Sequence, residues 1–266
     1  MHTLGYLNWS VSQEIFRVGP IAIRWYGLLF ALSFVIGYWI MDKIFRIEKR
    51  SQHDLEALTI TMIIGTVLGA RVGHCLFYDP VYYLSNPLLI LKVWEGGLAS
   101  HGAAIGILLA LWYYVKKRPK YTFLWVIDRV VIVVALSGFL IRLGNFFNSE
   151  ILGSQTDVAW AVVFTRIDNI PRHAAQLYEA VTYLAIFIYL YYSYMKLNAG
   201  AAAGRIFGQF LVFVFGARFI VEFFKEVQSP FEKGLPLDMG QILSIPFIIA
   251  GIYLWIRSSR KLKVIK

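Results

Sequence analysis

The sequence predicts an all-α polytopic membrane protein of about seven transmembrane helices, with a small outward (periplasmic) elaboration, N-terminus outside and C-terminus inside. Three observations predict it. Hydrophobic residues make up 58% of the chain and charged ones only 16%, with a mean hydropathy of +0.61, too little charge to cover a soluble domain of this length. The apolar residues gather into runs long enough to cross a bilayer, each needing about 20 residues. Basic residues cluster in every second connection between those runs, as topology signals do.

Taken in order, the expected spans are 21–42, 55–78, 97–115, 122–141, 174–195, 206–225 and 239–256. Lys43, Arg46, Lys49 and Arg50 follow the first span, and Lys116, Lys117, Arg118 and Lys120 follow the third. Lys196 and Arg205 follow the fifth, and Arg257, Arg260, Lys261, Lys263 and Lys266 follow the last. Fifteen basic residues thus mark one side. The other side has five, Arg17, Lys92, Arg166, Arg172 and Lys233, in longer segments. The positive-inside rule puts the C-terminus in the cytoplasm, and an odd number of spans puts the N-terminus outside.

The outward connections carry the remaining signals. Residues 79–96 contain Asp79-Pro80, Asn86-Pro87 and Trp94-Glu95-Gly96, turn and interfacial markers. An outward loop region of about 142–173 is the longest hydrophilic stretch, with a short strand expected within Ala159 to Thr165. No repeat of 20–50 residues is visible. Residues 1–266 therefore read as a single integral membrane domain. Met1 to Pro20 lacks the basic and apolar regions of a cleavable signal peptide, so the first span is expected to direct insertion.

Composition also excludes. The net charge of +10 is spread over short connections instead of one soluble face, which argues against nucleic acid as a partner. Cys75 is the sole cysteine, so no intramolecular disulfide or multi-cysteine metal site can form. In its apolar run it reads as buried and inert, with a nucleophilic role only formally open. No HExxH, GxSxG or P-loop pattern occurs, and neither metal nor cofactor is expected.

Charges inside apolar runs carry the functional signal, because a central one costs about 2.5–3.5 kcal/mol. Arg24, Arg71, Arg129, Arg142, Arg218 and Glu222 all fall within or at the ends of such runs. Arg24 can snorkel from a helix end, and Arg129 can pair with Asp128. Arg142 opens the run Arg142-Leu143-Gly144-Asn145-Phe146-Phe147-Asn148-Ser149-Glu150-Ile151-Leu152-Gly153. Continued as a helix, it puts Arg142, Asn145 and Ser149 on one face. A guanidinium fork, amide donors and glycines suit a phosphate or glycerol headgroup at the outer interface; a polar cluster packing the bundle would look similar. Arg218 and Glu222 stand four residues apart and are expected to pair on a helix. His101, between Ser100 and Gly102, is either structural or the proton-transfer group of an open site. His173 and Gln176 share a helical face, and Glu179 adds no zinc geometry.

Seven segments in order resemble the prolipoprotein diacylglyceryl transferase family. They are Arg24-Trp25-Tyr26-Gly27, Gly69-Ala70-Arg71, and Glu95-Gly96-Gly97 with His101-Gly102. The Arg142 to Gly153 run follows, then Arg172-His173-Ala174-Ala175-Gln176-Leu177-Tyr178-Glu179, Arg218 to Phe224, and Asp238-Met239-Gly240-Gln241 with Ser244 and Pro246. The chain departs from the family pattern at Ile141, Ala103 and Val214. The resemblance implies a bacterial inner (cytoplasmic) membrane enzyme with its site toward the periplasm. It implies transfer of the diacylglyceryl group of phosphatidylglycerol to the lipobox cysteine of a prelipoprotein, without a cofactor. Under that implication His101, Arg142, Arg218 and Tyr26 are the catalytic candidates. Arg142 also joins Asn145, Asn148, Glu150, Gly153, Glu222 and Arg71 as the substrate-binding set. Composition and spacing alone reach only an outward-facing site for an anionic lipid, which a phospholipid transporter or flippase would share.

Overall fold

The computed structural model describes residues 5–19, 21–93, 97–196, 202–226 and 236–265, with the backbone alone for Ile21 and residues 261–265. Trp94, Glu95, Gly96, Lys233 and Lys266, all singled out above, lie outside the described residues.

The described chain is mostly helical. After β1 (Leu7–Trp9), β2 (Glu14–Val18) and β3 (Ile21–Arg24) come α1 (Trp25–Ile47), α2 (Gln52–Phe77) and the short α3 (Pro80–Ser85). A 3-10 turn over Pro87–Leu91 precedes α4 (Ser100–Lys117) and α5 (Phe123–Asn148). Then follow β4 (Val162–Phe164), β5 (Pro171–Arg172), α6 (Ala175–Lys196), α7 (Arg205–Glu222) and α8 (Met239–Ile265). A long helix occupies each of the seven stretches where an apolar run predicts one. Four of them, α1, α2, α5 and α8, are long and apolar enough by length and composition to cross a membrane. The short strand expected within 159–165 is β4. The three N-terminal strands, α3 and β5 carry too little periodicity to be read beforehand.

The chain divides into two compact units, residues 40–127 and residues 1–39 with 128–266. In the first, α2 and α4 approach backbone to backbone through glycines. A side chain on Gly69 would meet Gly102 and Gly106, and one on Gly73 would meet Gly102. Small residues at matching heights allow such contact, and the dispersion gained there replaces the hydrophobic drive that lipid cannot supply. In the second unit, Gly208 of α7 lies against Gly251 of α8 in the same manner.

The second unit also carries the extended segments. β1 runs parallel to β4, with Leu7 beside Val162, and β4 runs antiparallel to β5. β2 and β3 form a hairpin leading directly into α1. Phe146, Val162, Phe164 and Ala174 make a small core under these strands, joined by Trp9, Leu152 and Leu177. A fully buried aromatic such as Phe164 contributes about 1.5–3 kcal/mol. This core fixes the stretch after α5 to the start of α6. It is what positions the site.

Candidate anion site at the end of the fourth long helix

α5 ends on a Schellman turn. The Ser149 N–H donates to Phe146 O at 3.0 Å and the Glu150 N–H to Asn145 O at 3.0 Å, the paired pattern of a left-handed helix stop. Ser149 supplies the left-handed residue with φ 56°, and Ile151 takes φ 56° as well, a conformation that costs a β-branched residue free energy. The helix expected to carry Arg142, Asn145 and Ser149 on one face therefore stops at Asn148. The turn instead folds Glu150 back beneath the asparagines.

Those asparagines receive it. Asn145 Nδ2 donates to Glu150 Oε2 at 3.2 Å, and Asn148 Nδ2 to Glu150 Oε1 at 3.0 Å. Arg142, two turns back, donates from Nη1 to Asn145 Oδ1 at 3.1 Å. Gln176 on α6 donates to the Glu150 carbonyl at 2.6 Å and Gln13 to the Asn148 carbonyl at 2.9 Å. The strained turn is thus held from both sides.

Behind Arg142 lies an ion-pair chain. Its Nε stands 2.7 Å from Oε2 of Glu179, a fully buried carboxylate one turn into α6, as an ion pair instead of a well-aligned hydrogen bond. Lys225 Nζ reaches the other Glu179 oxygen at 3.0 Å and Glu222 Oε2 at 3.1 Å. Single buried charges are expensive, and breaking a buried pair costs about 3–5 kcal/mol, so this chain is a strongly coupled unit. The expected Arg218–Glu222 pair does not form: among the described residues Arg218 has no ion-pair partner. Tyr183 lies within electrostatic reach of both Arg142 and Arg218.

Several close approaches seal the arrangement. The Tyr26 ring covers Gly144, where a Cβ would come within 2.8 Å of it, and its hydroxyl lies in the field of Glu150 and Arg142. Gly240 at the start of α8 lies against the Glu222 carboxylate, with Gln241 bonded to Phe219 O at 3.2 Å. Gly153 pairs with Lys225 as an extended bridge, and a side chain there would run into His173. Outside the helices, Arg172 pairs with Asp168 at 2.7 Å and with Glu226. That partnership holds the Asp168 carboxyl below the usual carboxylate range and the Arg172 guanidinium above its own.

Some polar atoms in this cluster are left over. Asn148 Oδ1, Ser149 Oγ and Gln176 Oε1 are buried without a hydrogen-bond partner among the described residues. Buried polar atoms normally find partners, and unpartnered acceptors in the turn to which Arg142 is bonded through Asn145 match a ligand offering hydroxyls.

Of the predicted residues, Tyr26, Arg142, Asn145, Asn148, Glu150, Gly153, Arg218 and Glu222 belong to this unit. Arg71 and His101 belong to the unit spanning 40–127. There Arg71 donates to Leu89 O at 2.6 Å, Ile90 O at 2.9 Å and Gly97 O at 3.4 Å, and lies over the Tyr83 ring. His101 is exposed at the start of α4, edge-on to Phe77 and stacked with Tyr78. Cys75 is buried there. Arg24 is half exposed and 3.9 Å from Glu14. Asp128 turns its carboxylate to the N–H groups of Gly204 and Phe207, both at 2.7 Å, and forms the expected ion pair with Arg129 at 4.0 Å.

Sequence reasoning missed Glu179, Gln176 and Lys225 as members of the site. The cost argument applied to the arginines would have found Glu179, since it too sits inside an apolar run.

Residues 13–257 match the family model described as prolipoprotein diacylglyceryl transferase. A phosphatidylglycerol–prolipoprotein diacylglyceryl transferase of Chloroherpeton thalassium is 48% identical over all of this chain and 99% of the relative. Proteins of the same name from Tolumonas auensis and Porphyromonas gingivalis are 50% and 43% identical. The former covers 96% of this chain and 98% of the relative, the latter 95% of each.

Proposed function

The chain belongs to the prolipoprotein diacylglyceryl transferase family, and from that membership and the site we propose that it is a phosphatidylglycerol–prolipoprotein diacylglyceryl transferase. The observation that carries the reading is the coupling of Arg142 to Glu179 and Asn145, with Arg218, which has no ion-pair partner among the described residues, as a second guanidinium acting on the same Tyr183. The thiol sulfur of the lipobox cysteine attacks the glyceryl carbon that bears the phosphate. A C–S bond forms, the C–O bond breaks, and glycerol 1-phosphate leaves with the bonding pair. The thiol proton passes to a base, since a free thiol with a pKa near 8.5 is mostly protonated at neutral pH.

Each residue then has a task. Arg142, fixed along its Nε edge by Glu179, and Arg218 stabilise the charge that builds on the leaving phosphate in a water-poor site. Asn145, Asn148 and Glu150 receive the headgroup glycerol, with the unpartnered acceptors close by. Gly153 and Glu222 frame the site. Arg71, its donors taken by carbonyls, shapes the 3-10 turn and the Gly97 loop instead of gripping the phosphate directly. His101 moves the thiol proton, with Tyr26 as the alternative donor or positioning group.

We assign the chain seven spans in one integral membrane domain of the bacterial inner membrane, N-terminus outside and the site toward the periplasm. The long helices at all seven apolar runs and the alternation of basic connections support this. The test is to incubate the purified protein with phosphatidylglycerol micelles and a lipobox peptide, following peptide mass and glycerol phosphate release. A diacylglyceryl mass gain that requires the peptide cysteine, matched by release, establishes the transferase. Folded protein giving neither product across several lipid compositions overturns it in favour of a phospholipid transporter.

A further inference from the structure

Arg218 and Glu222 stand one turn apart on α7, the spacing at which opposite charges meet. Among the described residues they form no ion pair, and Glu222 is engaged by Lys225 instead, at 3.1 Å. The same ammonium holds Glu179 at 3.0 Å, and the Lys225 side chain is only 4% exposed. The backbone explains why it points inward. α7 ends at Glu222, and Lys225 then bridges to Gly153 as extended chain, with Ser154 N–H donating to Phe224 O at 2.9 Å and Glu226 N–H to Leu152 O at 3.3 Å. A lysine that would otherwise snorkel to water is thereby locked under the site.

The chain Arg142–Glu179–Lys225–Glu222 balances two cations against two carboxylates. Arg218 is surplus to it. Glu150, the other carboxylate nearby, is exposed and engaged by the two asparagine amides. We propose that Lys225 is a positioning residue for anion binding: by engaging Glu222 and one oxygen of Glu179 it keeps the Arg218 guanidinium unpaired and available to a phosphodiester. This rests on the anion role given to Arg218 above. Lys225 touches neither lipid nor thiol; it decides which partner a neighbouring arginine has.

The test compares Lys225→Met, Lys225→Arg and the double variant Lys225→Met/Glu222→Gln with wild type. In K225M the freed Glu222 captures Arg218. The phosphatidylglycerol mole fraction at half-maximal rate rises by about ten-fold, the loss of one charge-assisted contact, while the peptide KM stays put. K225R keeps both ion pairs and restores most of the lipid dependence. The double variant, lacking the competing carboxylate, recovers lipid affinity that K225M loses. A purely structural lysine would instead lower Tm in both K225M and the double variant without shifting lipid dependence. That result, or a double variant no better than K225M, overturns the proposal. A second readout is the Tm increase given by phosphatidylglycerol in neutral-detergent micelles, which needs no turnover. If wild type transfers nothing, the transferase reading fails. The rank order of lipid-induced Tm shifts, wild type above the double variant and the double variant above K225M, still upholds the role of Lys225, and any other order refutes it.

Discussion

Asp54 and Glu179 are both buried carboxylates serving two cations each, and they differ in what remains unspent around them. Asp54, in the first turn of α2, accepts from the Tyr121 hydroxyl at 2.8 Å and pairs with Arg118 at 3.1 Å and Lys120 at 2.6 Å. Its own carbonyl takes the Tyr114 hydroxyl at 3.0 Å. Arg118 lies over the Tyr114 ring and Lys120 over that of Tyr121, and Lys120 is 56% exposed. That cluster satisfies itself, and one of its cations reaches water. Its work is to fasten the start of α2 to the end of α4. Around Glu179, Lys225 is buried and Arg142 only 16% exposed, and among the described residues three polar atoms of the site lack hydrogen-bond partners and Arg218 has no ion-pair partner. A saturated charge cluster is structure, whereas one with spare donors and acceptors is poised for a ligand.

The largest expected effect tests the unsaturated cluster at its centre. Arg142→Ala should lower transfer by at least about 100-fold, the usual cost of removing a preorganised charge-stabilising donor, while the protein still inserts and purifies. Normal turnover in that variant would remove Arg142 from the chemistry. Arg218→Lys keeps the charge and loses the fork; transfer should fall by about ten-fold, and wild-type rates would mean that a point charge is enough.

The opposite pattern is expected at the saturated cluster. Asp54→Ala should cost about 1–3 kcal/mol through the partners it strands, seen as a lower Tm in detergent, with turnover per folded molecule unchanged. A selective loss of turnover would break the distinction drawn between the two clusters.

The smallest effect concerns the Asp168–Arg172 pair outside the helices. Asp168 has a depressed carboxyl pKa, so its contribution is complete above the ordinary aspartate range near about 4. It fades as pH falls through the lower folded value. Because Asp168 is a quarter exposed, the pair is screened and contributes under about 1 kcal/mol. Hydrogen exchange across 153–173 should quicken slightly in Asp168→Asn at neutral pH, and in wild type only under acid. Equal exchange in the two proteins at pH 7 would show that the Arg172–Glu226 contact suffices.

The residues readable beforehand share one property, that their signal is local. Arg142, Asn145, Asn148, Glu150 and Gly153 lie in a single run, and the price of a charge among apolar neighbours marks Arg142 without any fold. The same local reasoning erred at Arg218. Helical spacing alone pairs it with Glu222, but a competing cation three residues beyond Glu222 takes that carboxylate once the chain leaves the helix and extends. It erred again at Ser149, where a left-handed turn replaced the next helical residue.

The sequence by itself determined where the long helices form, because apolar runs and basic connections act through solvent transfer and need no partner. It also marked the arginines whose burial demands an explanation. Only the tertiary structure decided how they are used. Glu179 from α6 and Lys225 from beyond α7 reach Arg142 and Glu179 respectively across long stretches of chain. No periodicity encodes such distances. Their pairing follows from packing, which excludes water and leaves each buried charge only the partners that the fold brings within reach.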